Sequence, residues 1–351
     1  MQRLKTLLIG SGLLLATSQI LAESARDYVS VVGSSTVYPF STVVAEQLGR
    51  TAGIKTPKIE STGTGGGIKL FCSGIGVQYP DIANASRTIK ASELEACAKA
   101  GVKDIVEVKI GYDGIVVAHA KNEQGFNLTR KEIFLALAKT VPDPASPESG
   151  KLVDNPYKTW KQVNPAFPDS KIEVLGPPPT SGTRDSFVEL AMEGGCQGFK
   201  WITELKTRDE AKFKALCHTV REDGAFIEAG ENDNLIVQKL IANPKALGVF
   251  GYSFMEQNTD QITPVQVDGV APEYDTIAGQ KYPIARPLYF YVKKAHVGMI
   301  KGIDAYIAEF TSDKATGDEG YLADKGLIAL PAAERKTVAA NAKALKTLEM
   351  K

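Results

Sequence analysis

The sequence predicts an α/β protein of two lobes joined by hinge strands, on three observations. Strand-like and helix-like segments alternate along most of the chain, the pattern of a largely parallel sheet covered by helices. With 351 residues the chain exceeds the size at which one core stops growing, so two domains are expected. Strand character then returns late, at Ile262–Val267 and Pro287–Val292, after a second α/β block. A tail that packs back on the first lobe makes more than one strand cross between lobes, which permits bending while keeping both jaws in register. The expected division is a leader over 1–25, a first lobe of 26–115 plus 270–351, and a second lobe of 116–269.

Each element has a local reason. Tyr28–Gly33 alternates into a first strand, and Pro39 fits the first turn of a helix through Phe40, Val43, Val44 and Leu48. Pro57–Glu60 reads as a second strand, Ser61–Gly67 as a glycine-rich turn, and Ile68–Phe71 as helical. Asp81–Ala85 is a short strand and Ser92–Lys99 a helix, followed by strands at Ile105–Ile110 and Gly114–Ala118. Thr129 caps an amphipathic helix through Leu137. Pro142–Pro168, rich in proline and polar residues, reads as an irregular surface connection, a structural loop rather than a lid. Ile172–Leu175 and Gly248–Tyr252 are strands, Phe187–Met192 has helix spacing, and helices are expected at Met299–Thr311 and Pro331–Leu348.

Composition bounds the function. The 41 basic and 41 acidic residues cancel, which argues against a uniformly basic nucleic-acid-binding surface. Arg3 and Lys5 precede the short apolar run Leu7–Ala16, the pattern of a secretory signal cleaved near Ala22 or Ala25. That run is too short for a comfortable membrane span, so the mature protein is expected in the periplasm or another extracytoplasmic space. Four cysteines suit that address. Cys72 and Cys97 stand 25 apart, Cys196 and Cys217 stand 21 apart, and no CxxC pair occurs. Three pairings are possible, and the plainest is one sequence-local disulfide in each lobe.

Three stretches share a design of strand, small-residue turn and helix start. They are Gly33-Ser34-Ser35-Thr36, Thr62-Gly63-Thr64-Gly65-Gly66-Gly67 and Thr180-Ser181-Gly182-Thr183. First turns of helices carry unpaired N–H groups at a positive dipole end, glycine allows close approach, and hydroxyls add neutral donors. Each turn alone is a common structural motif. Three at the carboxyl ends of predicted strands point to one oxyanion site, where open α/β sheets bind ligands. Arg87 and Arg184, each beside a hydroxyl-bearing turn, are expected to add two-pronged positive charge.

The stretches Val32–Pro39, Gly63–Lys69, Asp81–Arg87 and Pro179–Phe187 resemble, in the same order, those of periplasmic phosphate-binding proteins of ABC transporters. The resemblance covers nearly the whole mature chain. It implies the type II two-lobed periplasmic binding protein fold, one buried inorganic phosphate, and delivery to a membrane permease. No catalysis, no cofactor, no metal, no nucleic-acid partner and a monomer are expected. Carried over by motif, Ser35, Thr36, Val37 and Tyr38 match the first phosphate loop, Thr64 the glycine-rich loop, and Ser181, Gly182 and Thr183 the second-lobe loop. The family's best-known pattern has an aspartate where Ser86 stands, and an arginine where prolines precede Ser181. The chain is more similar to the branch with Ala-Ser-Arg and Ser-Gly-Thr-Arg, so Ser86, Arg87 and Arg184 are expected at the ligand. Asp113, Asp185 or Glu60 could accept the proton of hydrogen phosphate.

Two other classes compete. A sensor or binding protein for another tetrahedral oxyanion would share these turns. An exported phosphatase using Ser35 or Ser181 would need a base, and only His119, His218 and His296 are present, with no Gly-x-Ser-x-Gly.

Overall fold

Val31, Val32 and Gly33 are buried in β1 (Ser30–Gly33), the first strand of a nine-stranded sheet seen in a computed structural model. The structure describes residues 26–50, 53–123, 125–179, 181–230 and 233–348; the expected leader and Thr180 lie outside the described residues. The other strands are β2 (Lys58–Ser61), β3 (Ile82–Ala85), β4 (Ile105–Ala120), β5 (Thr140–Pro142), β6 (Leu152–Asp154), β7 (Val174–Gly176), β8 (Phe226–Glu228), β9 (Leu247–Gly251), β10 (Ile262–Pro264) and β11 (Ala285–Lys293). Their order is β2-β1-β3-β11-β4-β9-β7-β8, with β10 also on β4, while β5 and β6 form a separate hairpin.

The β1–β3 group is parallel, as is β7–β9, and the two groups are joined through antiparallel β11 and β4. This is the two-lobed α/β fold that the alternation predicts, with strands crossing between the halves. The sequence reads β4 as two strands. It runs as one of 16 residues because β11 pairs along it from Ile105 to Gly114, with a register shift between Leu288 and Tyr289. Such a shift bends a strand locally, which suits the place where the chain passes between halves.

Apolar side chains segregate accordingly. Val31, Val44, Ile82, Val108, Phe290, Tyr306 and Phe310 close one core, which a smaller cluster around Phe71, Cys97 and Tyr291 adjoins. Phe134, Trp160, Phe187, Phe213 and Phe250 close another, and Ile277, Tyr282 and Ile284, expected on the first lobe, pack there. Each fully buried large side chain contributes about 1.5–3 kcal/mol. The 142–168 connection is anchored rather than loose: Trp160 is buried and its ring meets Phe126 and Phe167, at centroid distances of 5.1 and 6.5 Å.

Two disulfides fasten helices. Cys72–Cys97 links the ends of helices Thr64–Phe71 and Ala91–Lys99, with Cα atoms 4.3 Å apart. Cys196–Cys217 links Glu193–Cys196 to Glu210–His218 at 5.6 Å. No helix among the described residues is long and apolar enough to cross a membrane.

Candidate functional site: a ring of donors where the halves meet

β1 ends at Gly33, and the turn Ser34–Thr36 leads into helix Tyr38–Gly49, with Pro39 in its first turn as expected. Ser34 is buried, and its carbonyl accepts from Tyr38 N–H at 3.0 Å. Its hydroxyl accepts weakly from Val37 N–H at 3.4 Å. Those two amides therefore have acceptors within the turn. Among the described residues, the amides of Ser35 and Thr36 have none.

The glycine-rich stretch differs from its reading as a turn. Thr64–Phe71 is helical, so Gly65–Gly67 lie within the first turns. A Cβ on Gly67 would sit 2.3 Å from Gly33 Cα, so the absence of a side chain lets this helix lie directly on β1. Thr64 and Ser86 face each other, hydroxyl to hydroxyl, at 3.0 Å, and Ser86 N–H donates to Thr64 Oγ1 at 3.1 Å.

From the other half, β7 leads into helix Gly182–Phe187, capped by Ser181, whose hydroxyl accepts from Thr183 N–H at 3.2 Å. This turn abuts the first. A Cβ on Gly182 would approach Ser35 O and Thr36 Cα at 3.1 Å each. Ser35 Oγ donates to Asp185, and Thr36 Oγ1 stands 3.4 Å from Ser186 Oγ. The turns at Ser35–Thr36 and Ser181–Thr183, some 150 residues apart, thus form one constellation.

At its base are two residues from the crossing strands. Arg286 of β11 stands opposite Asp113 of β4 in register. Its Nη2 donates to Thr36 Oγ1 at 2.9 Å and to Ser186 Oγ at 2.8 Å, while Nη1 donates to Glu189. Ser186 Oγ donates to Asp113 Oδ2 at 2.5 Å. Burial pushes the Asp113 carboxyl above the usual range, against the opposing pull of Arg286 and Ser186. Arg286 is 9% exposed, and its Nε is buried without a hydrogen-bond partner, 3.8 Å from Asp113 Oδ2.

The two arginines expected at the ligand each have protein partners. Arg87 closes on Glu93 with two bonds of 2.9 and 2.8 Å, a carboxylate six residues on, in the first turn of helix Ala91–Lys99, that engages its fork. Arg184 turns from the cleft, donating to Pro177 O at 3.1 Å and lying 4.2 Å over the Phe226 ring. As the third residue of its helix it emerges on the side facing β8, so adjacency to Thr183 does not carry it to the same place. Glu60 ion-pairs with Lys58 on exposed β2.

A family model described as the PBP superfamily domain matches residues 21–314. The chain belongs to the PBP superfamily. Its relatives place it in the PstS-like group: it is 32% identical over 287 residues to protein SphX of Synechocystis sp., covering 80% of this chain and 73% of that one. To the phosphate-binding protein PstS of Staphylococcus saprophyticus it is 30% identical over 304 residues, covering 85% and 79%. A crystal structure of a possible phosphate binding protein from Planctomyces limnophilus superposes with a TM-score of 0.71 at 25% identity, over 92% of this chain and all of that one.

In this PstS-like chain, Arg286, Ser186 and Glu189 are the members of the constellation that the sequence did not suggest. The available signal was a lone arginine entering the apolar run Pro287–Val292, where a buried charge requires a partner. The histidines are engaged elsewhere: His119 with Ala120 O, His218 with Glu193, and buried His296 between Asp81 and the Gly76 amide. Among the described residues, no group of three or more His, Cys, Asp or Glu is arranged to hold a metal ion.

Proposed function

We propose that this chain captures inorganic phosphate outside the cytoplasm and passes it to the permease of an ABC transporter, as a binding protein without catalysis. The observation that carries the reading is the meeting of Ser35–Thr36 with Ser181–Thr183 around hydroxyl and amide donors, with a buried guanidinium beneath. Neutral donors at helix starts suit a small oxyanion. PstS of Staphylococcus saprophyticus, named for phosphate, supports the choice of guest.

The lobes of the proposal are 26–115 with the C-terminal return, and the block from 116 onward, with the return crossing along β11. Of the ligand set expected from the sequence, Ser35, Thr36, Ser181, Gly182 and Thr183 stay in the reading. Val37 and Tyr38 act by shaping the turn, and Thr64 with Ser86 forms the adjacent wall. Asp113 accepts the proton of hydrogen phosphate. A proton-free dianion such as sulfate has no proton to share with that carboxylate and sets like charges against each other, which is costly in a buried site.

Calorimetric titration of dialysed protein tests this. Phosphate is expected to bind one-to-one without turnover, and sulfate at least about tenfold more weakly, the worth of one charge-assisted hydrogen bond. Absence of phosphate binding by folded protein contradicts the reading.

A further inference from the structure

Arg286 has an unsatisfied donor in a place where unsatisfied donors are expensive. Its side chain is 10% exposed, and its Nε has no acceptor. A buried donor without a partner costs free energy unless something supplies the acceptor. The geometry tells which edge of the guanidinium is engaged. Nη1 is held by Glu189, on the half-exposed rim. Nη2 points to the hydroxyls of Thr36 and Ser186, one from each half of the molecule. Nε and Nη2 share the side edge of an arginine, the edge that grips two oxygens of one anion at once.

Resting on the phosphate reading, we propose that Arg286 supplies the full positive charge to the bound oxyanion, side-on through Nε and Nη2. Glu189 positions it from behind. Thr36 and Ser186 are neutral partners that can turn their hydroxyls, so an anion oxygen can share Nη2 without leaving a charge unpaired. The mounting matters as much as the charge. Arg286 belongs to β11, which pairs with β3 on one side and runs along β4 toward the other half. It is therefore fixed to the crossing strands and not to either turn that moves when the halves part. The charge is in place before closure, so it meets the anion first and sets the rate of capture. The donors of Ser35–Thr36 and Ser181–Thr183 complete the cage afterwards.

The test compares Arg286→Lys, Arg286→Gln, Glu189→Gln and Arg184→Gln by calorimetry and stopped-flow with inorganic phosphate, each variant first checked by circular dichroism and melting. Arg286→Lys keeps the charge and loses the side edge, so it is expected to bind at least about tenfold more weakly. Arg286→Gln is expected to bind weaker still, and its capture rate to lose most of its dependence on ionic strength. Glu189→Gln is expected to weaken binding less than Arg286→Lys while preserving that dependence. Wild-type protein that binds phosphate alongside an equally competent Arg286→Gln variant overturns the assignment and leaves the phosphate reading standing. A larger loss in Arg184→Gln than in Arg286→Gln overturns it as well. Wild-type protein that binds no phosphate removes both.

Discussion

Ser35 donates its hydroxyl to the carboxylate of Asp185, a bond that spans 150 positions and ties the turn after β1 to the helix after β7. Beside it, Gly182 leaves only enough room for a hydrogen where its neighbour Ser35 presents a backbone oxygen. The same contact that joins the two turns therefore also sets how their donors are spaced. The halves meet through groups that also face the proposed guest.

Gly182→Ala would press a methyl to 3.1 Å of Ser35 O and Thr36 Cα, tighter than a relaxed contact. Overpacking of this kind costs about 1–3 kcal/mol, here levied on the closed arrangement alone. Phosphate affinity in calorimetry is expected to fall about tenfold, with the melting temperature little changed. Unaltered affinity would mean that the two turns do not meet in the bound form.

Asp113→Asn tests the buried carboxylate. Burial raises the Asp113 pKa, so its charged form is disfavoured in the folded protein. The penalty is absent below the unfolded value of 3.8, grows as pH rises through the folded pKa, and is complete above it. The asparagine variant is therefore expected to melt higher at pH 7, by about 1–3 °C, and to lose that advantage near pH 3.5. Its discrimination between phosphate and sulfate should shrink at the same time. A lower melting temperature at pH 7 would mean that attraction to Arg286 outweighs the cost of burial.

A second carboxylate has the opposite sign. Asp223 is held well below the usual range, first by its hydrogen bond from Arg221, a 4% exposed guanidinium that also donates to Ala136 O and Tyr157 O. Its contribution is present above the ordinary value of 3.8 and is lost as pH falls through the folded pKa. Because the Asp223 side chain is 43% exposed, Asp223→Asn is expected to cost only about 1–2 kcal/mol in urea denaturation at pH 7. The gap from wild type should narrow below pH 3.8. An unchanged midpoint at pH 7 would contradict this.

The disulfides give a prediction about the unfolded chain. Cys196–Cys217 closes a loop of 21 residues and Cys72–Cys97 one of 25. Loop-closure entropy makes each worth about 3 kcal/mol. Paired serine substitution at either bridge is expected to lower the unfolding free energy from urea denaturation by that amount, and reduction with a phosphine to reproduce the loss of both. No shift on complete reduction would contradict the entropic account.

How far the sequence reveals this can be traced through single residues. Pro39, Thr129 and the β-branched pair Val31–Val32 act locally, so their elements are legible without a structure. Ser35, Thr36 and Ser181–Thr183 were legible as turns because small hydroxyls after a strand have a local signature. Arg87 and Arg184 share that local signature. Adjacency suggests a ligand role, and the structure adds partners that adjacency does not show, Glu93 and Pro177 O, six and seven residues away. Arg286 was hidden because its importance arises from register: only the pairing of β11 with β4 sets it against Asp113 and beneath Thr36. The continuous β4 was hidden likewise, since its middle is held by a partner strand far along the chain, Tyr112 pairing with Pro287.

A crystal structure of the protein grown with phosphate is the most direct measurement. The account predicts one tetrahedral anion with oxygens about 3 Å from Ser35, Thr36, the Ser181–Thr183 turn and Arg286 Nε. Density for the anion elsewhere, or a cleft in which Arg286 Nε faces only protein, would contradict it.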